Sequence, residues 1–130
     1  VKGSGAENAK LILDSWHWAR ANQPFDLALL EGIPAEKIVS IQLNDVLPRA
    51  YAAAILRDES MHDRCLSGEG IGITADFLKM RKAKGVSPKV VGVVVINDEV
   101  LSKGVAEAAK LNFETTQNVL KAVWPEIAAE

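Results

Sequence analysis

The sequence predicts an α/β fold in which parallel strands alternate with helices. Three short apolar segments have the length of strands, and each is followed by a segment with helical features. The third of them, 90–96, is apolar on both faces, as a strand buried in a parallel sheet is. The order strand, helix, strand implies parallel strands joined by right-handed crossovers. Three strands form a very small sheet with open edges, so we expect it to be incomplete by itself.

The length and composition are those of one globular domain. The chain has 130 residues, of which 48% are hydrophobic and 25% are charged, and these values fit neither a disordered nor a fibrous protein. We predict a flexible lead or linker at residues 1–8, because its glycine and serine residues set no preferred backbone conformation. Residues 9–130 are then long enough to form a single α/β domain with one core.

The net charge and the lengths of the apolar runs argue against nucleic acid and membranes as partners. Fifteen Lys and Arg residues against seventeen Asp and Glu residues give a formal charge of -2, which provides no electrostatic reason to bind nucleic acid. The longest apolar run, 90–96, is far shorter than the roughly 18–20 residues of a membrane helix. The single cysteine cannot form an intrachain disulfide, and nothing at the start resembles a signal peptide. We therefore expect a cytoplasmic protein that contacts neither nucleic acid nor membrane.

The first strand is predicted at 9–14, a short apolar stretch that ends on the carboxylate of Asp14. Pro24 lies in the polar loop that follows, at a point where a helix can begin, because its fixed backbone angle suits the first helical position. The apolar residues from Phe25 to Leu30 then predict a short helix that is closed by Gly32.

The second strand, predicted at 37–45, alternates apolar with polar residues. Side chains two positions apart share a face of the sheet, so one face is apolar and packs on helices while the other is polar. The apolar face holds Val39, Ile41 and Leu43, and the polar face holds Ser40, Gln42 and Asn44. The polar face is a candidate wall of a binding site.

The middle of the chain is predicted as helix, loop and helix. The Ala-rich stretch 51–61 favours a helix. Residues 62–72 contain three glycines and are predicted to form a loop or a hinge. Thr74 is positioned to cap a helix that runs to Lys84, with Gly85 in the stop position.

A long helix follows the third strand, from about Val100 to Val123, with an interruption near Gly104 and an end marked by Pro125. Its apolar residues most simply cover the sheet. They are Val105, Ala108, Ala109, Leu111, Val119, Leu120 and Val123. The alternative is a helix that binds a partner.

Polar side chains at the strand ends are the candidates for chemistry, because ligands of parallel α/β sheets lie beyond the carboxyl ends of the strands. Asp14 and His17 follow the first strand. Either both approach one divalent ion, or the carboxylate binds the metal while the imidazole contacts a substrate oxygen. The alternative is structural: Asp14 caps the following turn and backbone groups satisfy His17. Trp16 stacks on a sugar ring in the functional interpretation and packs in the core in the alternative.

Three ordered motifs carry a resemblance to a known family. They are Leu11 to His17, Ile41 to Asp45 and Asp63 to Gly70, followed by an apolar strand and a long terminal helix. In this order they resemble the xylose-isomerase-like barrel family of sugar and sugar-phosphate isomerases and epimerases, and they correspond to the last three strand–helix units of its eight-unit barrel. The resemblance implies a partial (β/α)8 barrel of about three βα units, which we expect association to complete.

The resemblance also implies roles for the site residues. Asp14 and Gln42 are expected to hold a divalent metal (Mn, Mg, Co or Zn), and His17 to be the catalytic residue that contacts a substrate oxygen. Arg64 is expected to bind substrate, because a glycine-rich turn brings a guanidinium and backbone amides close to a sugar oxyanion or phosphate; a solvated surface arginine is the alternative. With Trp16 as a further substrate contact, the implied reaction is metal-dependent proton transfer between adjacent carbons of a sugar or sugar phosphate.

Two positions depart from the pattern of the family. Gln42 stands where the family commonly has a His ligand, and Val94 stands where it commonly has a Glu that binds the metal and exchanges protons. A further acidic ligand belongs to an earlier strand. We therefore expect the chain to be inactive alone. The alternative function is a non-catalytic, self-associating α/β barrel fragment, natural or engineered, so the expected partners are a second copy or the missing barrel segment, besides a sugar or sugar phosphate.

Overall fold

Three parallel strands form one sheet in the computed structural model, which describes residues 3, 5–21, 26–48, 56–94 and 96–129. The strands are β1 (Leu11–Asp14), β2 (Ile38–Leu43) and β3 (Val91–Val93). β2 lies in the middle and pairs in parallel with both neighbours. Within the described residues, the outer edges of β1 and β3 have no strand partner. The predicted α/β class and the open three-stranded sheet are therefore confirmed.

Helices connect the strands and follow the last one. The α-helices of the described residues are α1 (Ser15–Ala21), α2 (Ala28–Glu31), α3 (Leu56–His62), α4 (Ile73–Ala83), α5 (Asp98–Ser102) and α6 (Val105–Val123). Short 3-10 helices lie at Ala35–Lys37, Pro88–Val90 and Pro125–Ala129. Within the described residues, two α-helices lie between each pair of consecutive strands, and a helical crossover is the usual connection between parallel strands.

The main core lies on one face of the sheet, between β2 and the helices α4 and α6. Ile41 and Leu43 of β2 and Phe77 and Leu78 of α4 are fully buried, in one cluster with Leu120 of α6. Burial of a side chain of this size contributes about 1.5–3 kcal/mol relative to exposure. Of the residues of the last helix that are predicted to cover the sheet, Val119, Leu120 and Val123 belong to this cluster, so the prediction is confirmed for the C-terminal half of the helix.

The opposite face of the sheet carries the polar side chains and is only partly covered. The register pairs Asp14 with Gln42, and Gln42 with Gly92. Because side chains alternate along a strand, Ile12 and Val94 lie on this face too. Ile12 is 59% exposed. This is the polar face that the alternation of the second strand predicted, and we call it the open face; its role as the wall of a binding site stays a prediction.

The predicted boundaries near the strands are partly wrong. Val39 is 51% exposed although its alternation assigned it to the core face, because the register with β1 shifts by one residue there and Ile38 joins the core instead. Helix α1 begins at Ser15, directly after β1, where the sequence predicts only a polar strand end. The third strand covers 91–93 rather than 90–96, and position 95 lies outside the described residues.

The start of α4 differs from the prediction, and its end agrees with it. Thr74 does not cap α4, because the helix begins at the preceding residue and its N-cap is Gly72, whose φ of 79° is left-handed. The stop at Gly85 is confirmed, with a φ of 86° that costs a glycine little. Pro24 and Phe25, which the sequence assigned to the start of a helix, lie outside the described residues, as do positions 51–55.

The interruption of the last helix at Gly104 is confirmed, because α5 ends before it and α6 begins after it. Its φ is 95°. The prediction that Val105 and Ala109 cover the sheet is wrong, since both are exposed and Val105 is 83% exposed. The buried stripe of α6 runs through Ala108 and Asn112 instead. Because this stripe includes a polar residue, the apolar pattern alone does not identify it.

Among the described residues, no helix is long and apolar enough to cross a membrane. The division into a lead at 1–8 and a domain at 9–130 stays a prediction.

Candidate functional site

Helix α1 brings Asp14, Trp16 and His17 together at the carboxyl end of β1. The helix starts directly after the strand, so its first turn lies at the strand end. Asp14 Oδ1 accepts the backbone N–H of His17 at 2.9 Å, which satisfies one of the free N–H groups at the helix start. The predicted alternative that Asp14 caps the following turn is therefore confirmed for one of its two carboxylate oxygens, Oδ1.

Arg64 joins these residues from the segment that follows α3. Its Nη1 donates to Asp14 Oδ2 at 2.8 Å, and its Nη2 lies 3.2 Å from His17 Nε2. A guanidinium carries only donors, so His17 Nε2 is the acceptor in this contact and Nδ1 is the ring nitrogen left to carry a proton. The side chain of Arg64 is 5% exposed, so the interpretation of Arg64 as a solvated surface residue is wrong.

Ser60 and Trp16 fix the position of the Arg64 guanidinium. Arg64 Nε donates to the Ser60 carbonyl oxygen at 3.0 Å, and Nη2 donates to the Ser60 hydroxyl at 3.1 Å. The guanidinium carbon lies 4.8 Å from the centroid of the Trp16 ring, a cation–π contact. His17 meets the same ring edge-on, with centroids 5.0 Å apart. Arg64 is therefore the central member of the site.

Trp16 lies beneath Arg64 and is 3% exposed. Its Nε1 donates to Glu59 Oε1 at 3.0 Å, and the same oxygen lies 2.6 Å from Arg20 Nη2. Trp16 thus packs in the core, and its contact with a sugar stays a prediction. Sequence reasoning missed Glu59, Ser60 and Arg20; the spacing of four residues between Ser60 and Arg64 was the only local signal, because one helical turn brings such residues together.

The backbone of Arg64 lies between the ends of β2 and β3. On one side, Asp45 and Cys65 exchange backbone hydrogen bonds of 3.0 and 3.1 Å. On the other side, the Arg64 N–H donates to the Ile96 carbonyl oxygen at 2.8 Å, and Asn97 Nδ2 donates to the Arg64 carbonyl oxygen at 3.0 Å. These four bonds keep Arg64 at the carboxyl ends of the strands.

Asp45 organises the glycine-rich turn that follows Arg64 in the chain. Its Oδ1 accepts the N–H of Val46 at 2.9 Å, and its Oδ2 accepts the N–H of Gly72 at 3.1 Å. Burial raises the pKa of Asp45 above its ordinary value of 3.8, and the backbone hydrogen bonds offset part of that rise. A Cβ atom on Gly70 would lie 2.9 Å from the Asp45 carboxyl carbon. The predicted loop is therefore an ordered turn around a buried carboxylate.

Gln42 lies beside Asp14 on the open face, because the two residues are register partners on adjacent strands. The structure thus brings all the predicted site residues to one end of the sheet. The predicted roles of Asp14 and Gln42 as metal ligands, of His17 in catalysis and of Arg64 in substrate binding stay predictions.

No family model matches this sequence, and no curated protein matches it. Among solved structures, the chain is similar to the IOLI protein, whose crystal structure contains a zinc atom, with 25% sequence identity and a TM-score of 0.78. That match covers 95% of this chain and 41% of the IOLI chain. The chain is also similar to a xylose isomerase-like TIM barrel/4-hydroxyphenylpyruvate dioxygenase fusion protein, with 21% identity and a TM-score of 0.67, over 92% of this chain and 18% of the other.

This chain is similar in fold to part of a xylose isomerase-like TIM barrel. The resemblance that the three motifs predicted is therefore confirmed for the fold, and the chain spans less than half the length of either solved protein. In a xylose isomerase-like barrel every strand has two neighbours. The outer edges of β1 and β3 are thus the places where further strands of such a barrel would pair.

The described residues do not by themselves fit the divalent metal that the xylose isomerase-like resemblance implies. Both oxygens of Asp14 accept hydrogen bonds, from His17 and from Arg64. Gln42 offers a neutral amide oxygen, and Val94, on the same face, offers no donor. Protein sites for such metals use about four or more oxygen, nitrogen or sulfur donors. In the part of the chain that the structure describes, no group of three or more His, Cys, Asp or Glu residues could hold a metal ion.

Proposed function

We propose that this chain is the C-terminal segment of a sugar or sugar-phosphate isomerase or epimerase barrel and forms part of its substrate site. The observation that supports the proposal is the contact of Arg64 with both Asp14 and His17 at the carboxyl end of β1. Ligands of parallel barrels bind at this end of the strands. The similarity in fold to the IOLI protein adds support by analogy.

His17 is the group of this segment that would contact a substrate oxygen. Its side chain is exposed, and Arg64 occupies its Nε2 atom. The Nδ1–H is therefore the donor that remains for a carbonyl or hydroxyl oxygen of a sugar. Such a bond to the carbonyl oxygen stabilises the negative charge that develops there when a proton leaves the adjacent carbon.

The group that removes this proton would come from outside the segment. Val94 cannot accept a proton, and it stands where the resemblance predicts a Glu. Asp14 is already paired with Arg64. A divalent metal would likewise need ligands beyond Asp14 and Gln42. We therefore propose that the chain is inactive alone and that the remaining strands of a barrel complete the site.

Sugar binding is the first test. Saturation-transfer NMR with a panel of aldoses, ketoses and their phosphates should detect binding to the chain, and His17→Ala should weaken it about tenfold, the effect of one lost hydrogen bond to a neutral group. His62→Ala is the matched control, because His62 is the other histidine of the chain and its exposed ring pairs with Asp98 at 3.0 Å. Failure of every sugar to bind, or equal losses in both variants, would count against the proposal.

Proton exchange tests the reaction class. The chain is mixed with the remaining barrel segment of the IOLI protein, and incorporation of solvent deuterium next to the sugar carbonyl is followed by NMR. We expect exchange only in the reconstituted barrel and a faster rate with Val94→Glu, which supplies a carboxylate on the open face. A properly assembled barrel that exchanges no proton from any sugar of the panel would contradict this reaction class.

Exposed apolar side chains favour a second candidate function, a non-catalytic fragment that associates with a second copy of itself. Ile12 on the open face is 59% exposed, and Val94 lies on the same face. An isologous dimer that covers this face gains about 25 cal/mol for each Å² of apolar surface it buries. The edges of β1 and β3 that have no strand partner within the described residues add hydrogen-bonding groups that a second copy can pair.

Sedimentation velocity tests this second candidate. The wild-type chain should sediment as a dimer, and Ile12→Lys should sediment as a monomer because it places a charge in the contact. Leu29→Lys is the matched control, since Leu29 is also 59% exposed but lies on α2, and it should remain dimeric. A wild-type chain that is monomeric at all accessible concentrations would rule out self-association.

A further inference from the structure

Asp14, Trp16, His17 and Arg64 form what we call the strand-end site, at the carboxyl end of β1. We propose that Arg64 is the resident cation of this site and takes the place of a divalent metal as the charge partner of Asp14. The inference rests on the proposed function for the location of the site, and it deepens that function by naming what balances the charge there. In this role Arg64 is a positioning residue, because it acts through Asp14 and His17.

The first step of the argument is that each oxygen of Asp14 already accepts a hydrogen bond. Its Oδ1 accepts the His17 backbone N–H at 2.9 Å, and its Oδ2 accepts Arg64 Nη1 at 2.8 Å. The side chain of Asp14 is 10% exposed. A metal that ligates Oδ2 must therefore displace the guanidinium or share the oxygen with it, and two positive charges at that distance repel each other.

The second step is that Arg64 cannot leave Asp14 without losing several other contacts. Ser60 accepts two of its N–H groups, and the ring of Trp16 lies against its face. Trp16 is itself held by a hydrogen bond to Glu59. The backbone of Arg64 is tied on one side to Ile96. The positive charge is thus built into the chain, at a fixed place and 5% exposed.

The third step is that the open face offers a metal little in exchange. Gln42 brings one neutral oxygen, and Val94 brings none. A carboxylate at either position would have compensated for the charge of Arg64. The positive charge of Arg64 neutralises the negative charge of Asp14. No net negative charge then remains on this pair to attract a further cation.

Zinc titration by isothermal calorimetry tests the inference, with ZnCl2 as the probe and the full chain as the protein. Wild type and Asp14→Asn should take up zinc equally, because Asp14 is not available. Arg64→Gln should bind zinc at least tenfold more tightly than wild type, and the double variant Asp14→Asn/Arg64→Gln should lose that gain. Arg57→Gln is the matched control, since Arg57 is exposed on α3, and it should bind zinc as wild type does.

One zinc per chain bound by wild type and lost in Asp14→Asn would overturn the inference, and this comparison needs no variant of Arg64 to fold. A gain in Arg64→Gln that survives the loss of Asp14 would overturn it as well. Sugar binding is measured separately on the same wild-type chain. If zinc binds through Asp14 and sugars still bind, only the present inference is refuted. If sugars do not bind and zinc is not taken up, only the proposed function is refuted.

Discussion

Arg20 and Glu59 form a buried ion pair beneath the strand-end site, with Arg20 Nη2 2.6 Å from Glu59 Oε1. Their side chains are 5% and 2% exposed. Arg20 Nε donates to the same oxygen at 3.1 Å, and Nη2 also donates to the Leu47 carbonyl oxygen at 2.9 Å. The pair joins α1 to α3, and these two helices carry Trp16, His17 and Ser60, which contact Arg64 beside Asp14 of β1.

Glu59→Ala should lower the free energy of unfolding by about 3–5 kcal/mol, because it leaves the Arg20 charge buried without its partner. Urea denaturation followed by tryptophan fluorescence measures the change. Glu114→Ala is the control: Glu114 is exposed on α6, and its loss should change stability by less than about 0.5 kcal/mol. The double variant Arg20→Leu/Glu59→Leu should be more stable than Glu59→Ala, because no unpaired charge remains. Equal effects of Glu59→Ala and Glu114→Ala would show that the pair contributes nothing.

Gly70→Ala should destabilise the fold by about 1–3 kcal/mol through overpacking. A Cβ atom there would overlap the Val46 carbonyl oxygen and lie 2.9 Å from the Asp45 carboxyl carbon, and both groups accept backbone hydrogen bonds that hold them in place. Gly32→Ala is the matched control, because a Cβ at Gly32 meets nothing within 4 Å and its φ of -73° suits alanine. Thermal denaturation should place Gly32→Ala at or above wild type, by up to about 1 kcal/mol. A Gly70→Ala variant as stable as Gly32→Ala would contradict the close packing.

Asp45 should give stability a characteristic pH dependence. Burial raises its pKa above 3.8 in the folded state, so the folded protein binds this proton more tightly than the unfolded chain does. Its contribution is therefore fully present below about pH 3.8 and is lost as the pH rises through the raised pKa. Urea denaturation of wild type and Asp45→Asn between about pH 3 and pH 7 measures this, because the other groups cancel in the difference. The stability of wild type minus that of Asp45→Asn should fall with rising pH and then level off; a rise would reverse the sign and refute the prediction.

Cys65 should react slowly with thiol reagents. Burial, followed by the nearby carboxylates of Asp45, Glu59 and Glu69, raises the pKa of its thiol from 9.0 to about 11. At pH 8 the thiolate fraction is then about 100-fold smaller than for an ordinary thiol, and the greater nucleophilicity of the more basic thiolate leaves a net deficit of about tenfold. The rate of reaction with a disulfide reagent at pH 8 measures it, with the same chain unfolded in urea as the control. A folded chain that reacts as fast as the unfolded one would contradict the raised pKa.

The class and the order of the elements could be predicted because they depend on local pattern. Apolar alternation identified β2 and its polar face, and Gly85 and Gly104 marked helix ends through a conformation that glycine adopts easily. The start of α1 is the capping alternative predicted for Asp14, whose Oδ1 accepts the His17 N–H. The α4 cap could not be predicted, because it is Gly72, which a search for polar capping residues passes over.

The buried stripe of α6 shows a second limit of local pattern. Its apolar residues suggest a stripe that includes Val105, yet the helix buries Asn112 and Thr116 and exposes Phe113. Asn112 satisfies its amide on the Ala108 carbonyl oxygen at 2.9 Å, and the Thr116 hydroxyl lies 3.1 Å from that of Ser67. Such partners allow polar side chains to be buried. The partner of Asn112 lies one turn away in the same helix, whereas the contact of Thr116 with Ser67 forms only once the chain is packed.

The sequence by itself determined that polar residues end β1 and β2, that an arginine precedes a glycine-rich turn, and that these motifs resemble one barrel family. Only the tertiary structure decided that Arg64, 50 residues from Asp14, donates to its carboxylate and that Ser60 and Glu59 hold the surrounding side chains in place. The physical reason is that strand ends and turns follow from neighbours in the chain, whereas an ion pair between distant residues depends on how α3 packs against α1. That packing places Asp14, a predicted metal ligand, and Arg64, a predicted substrate contact, in an ion pair with each other.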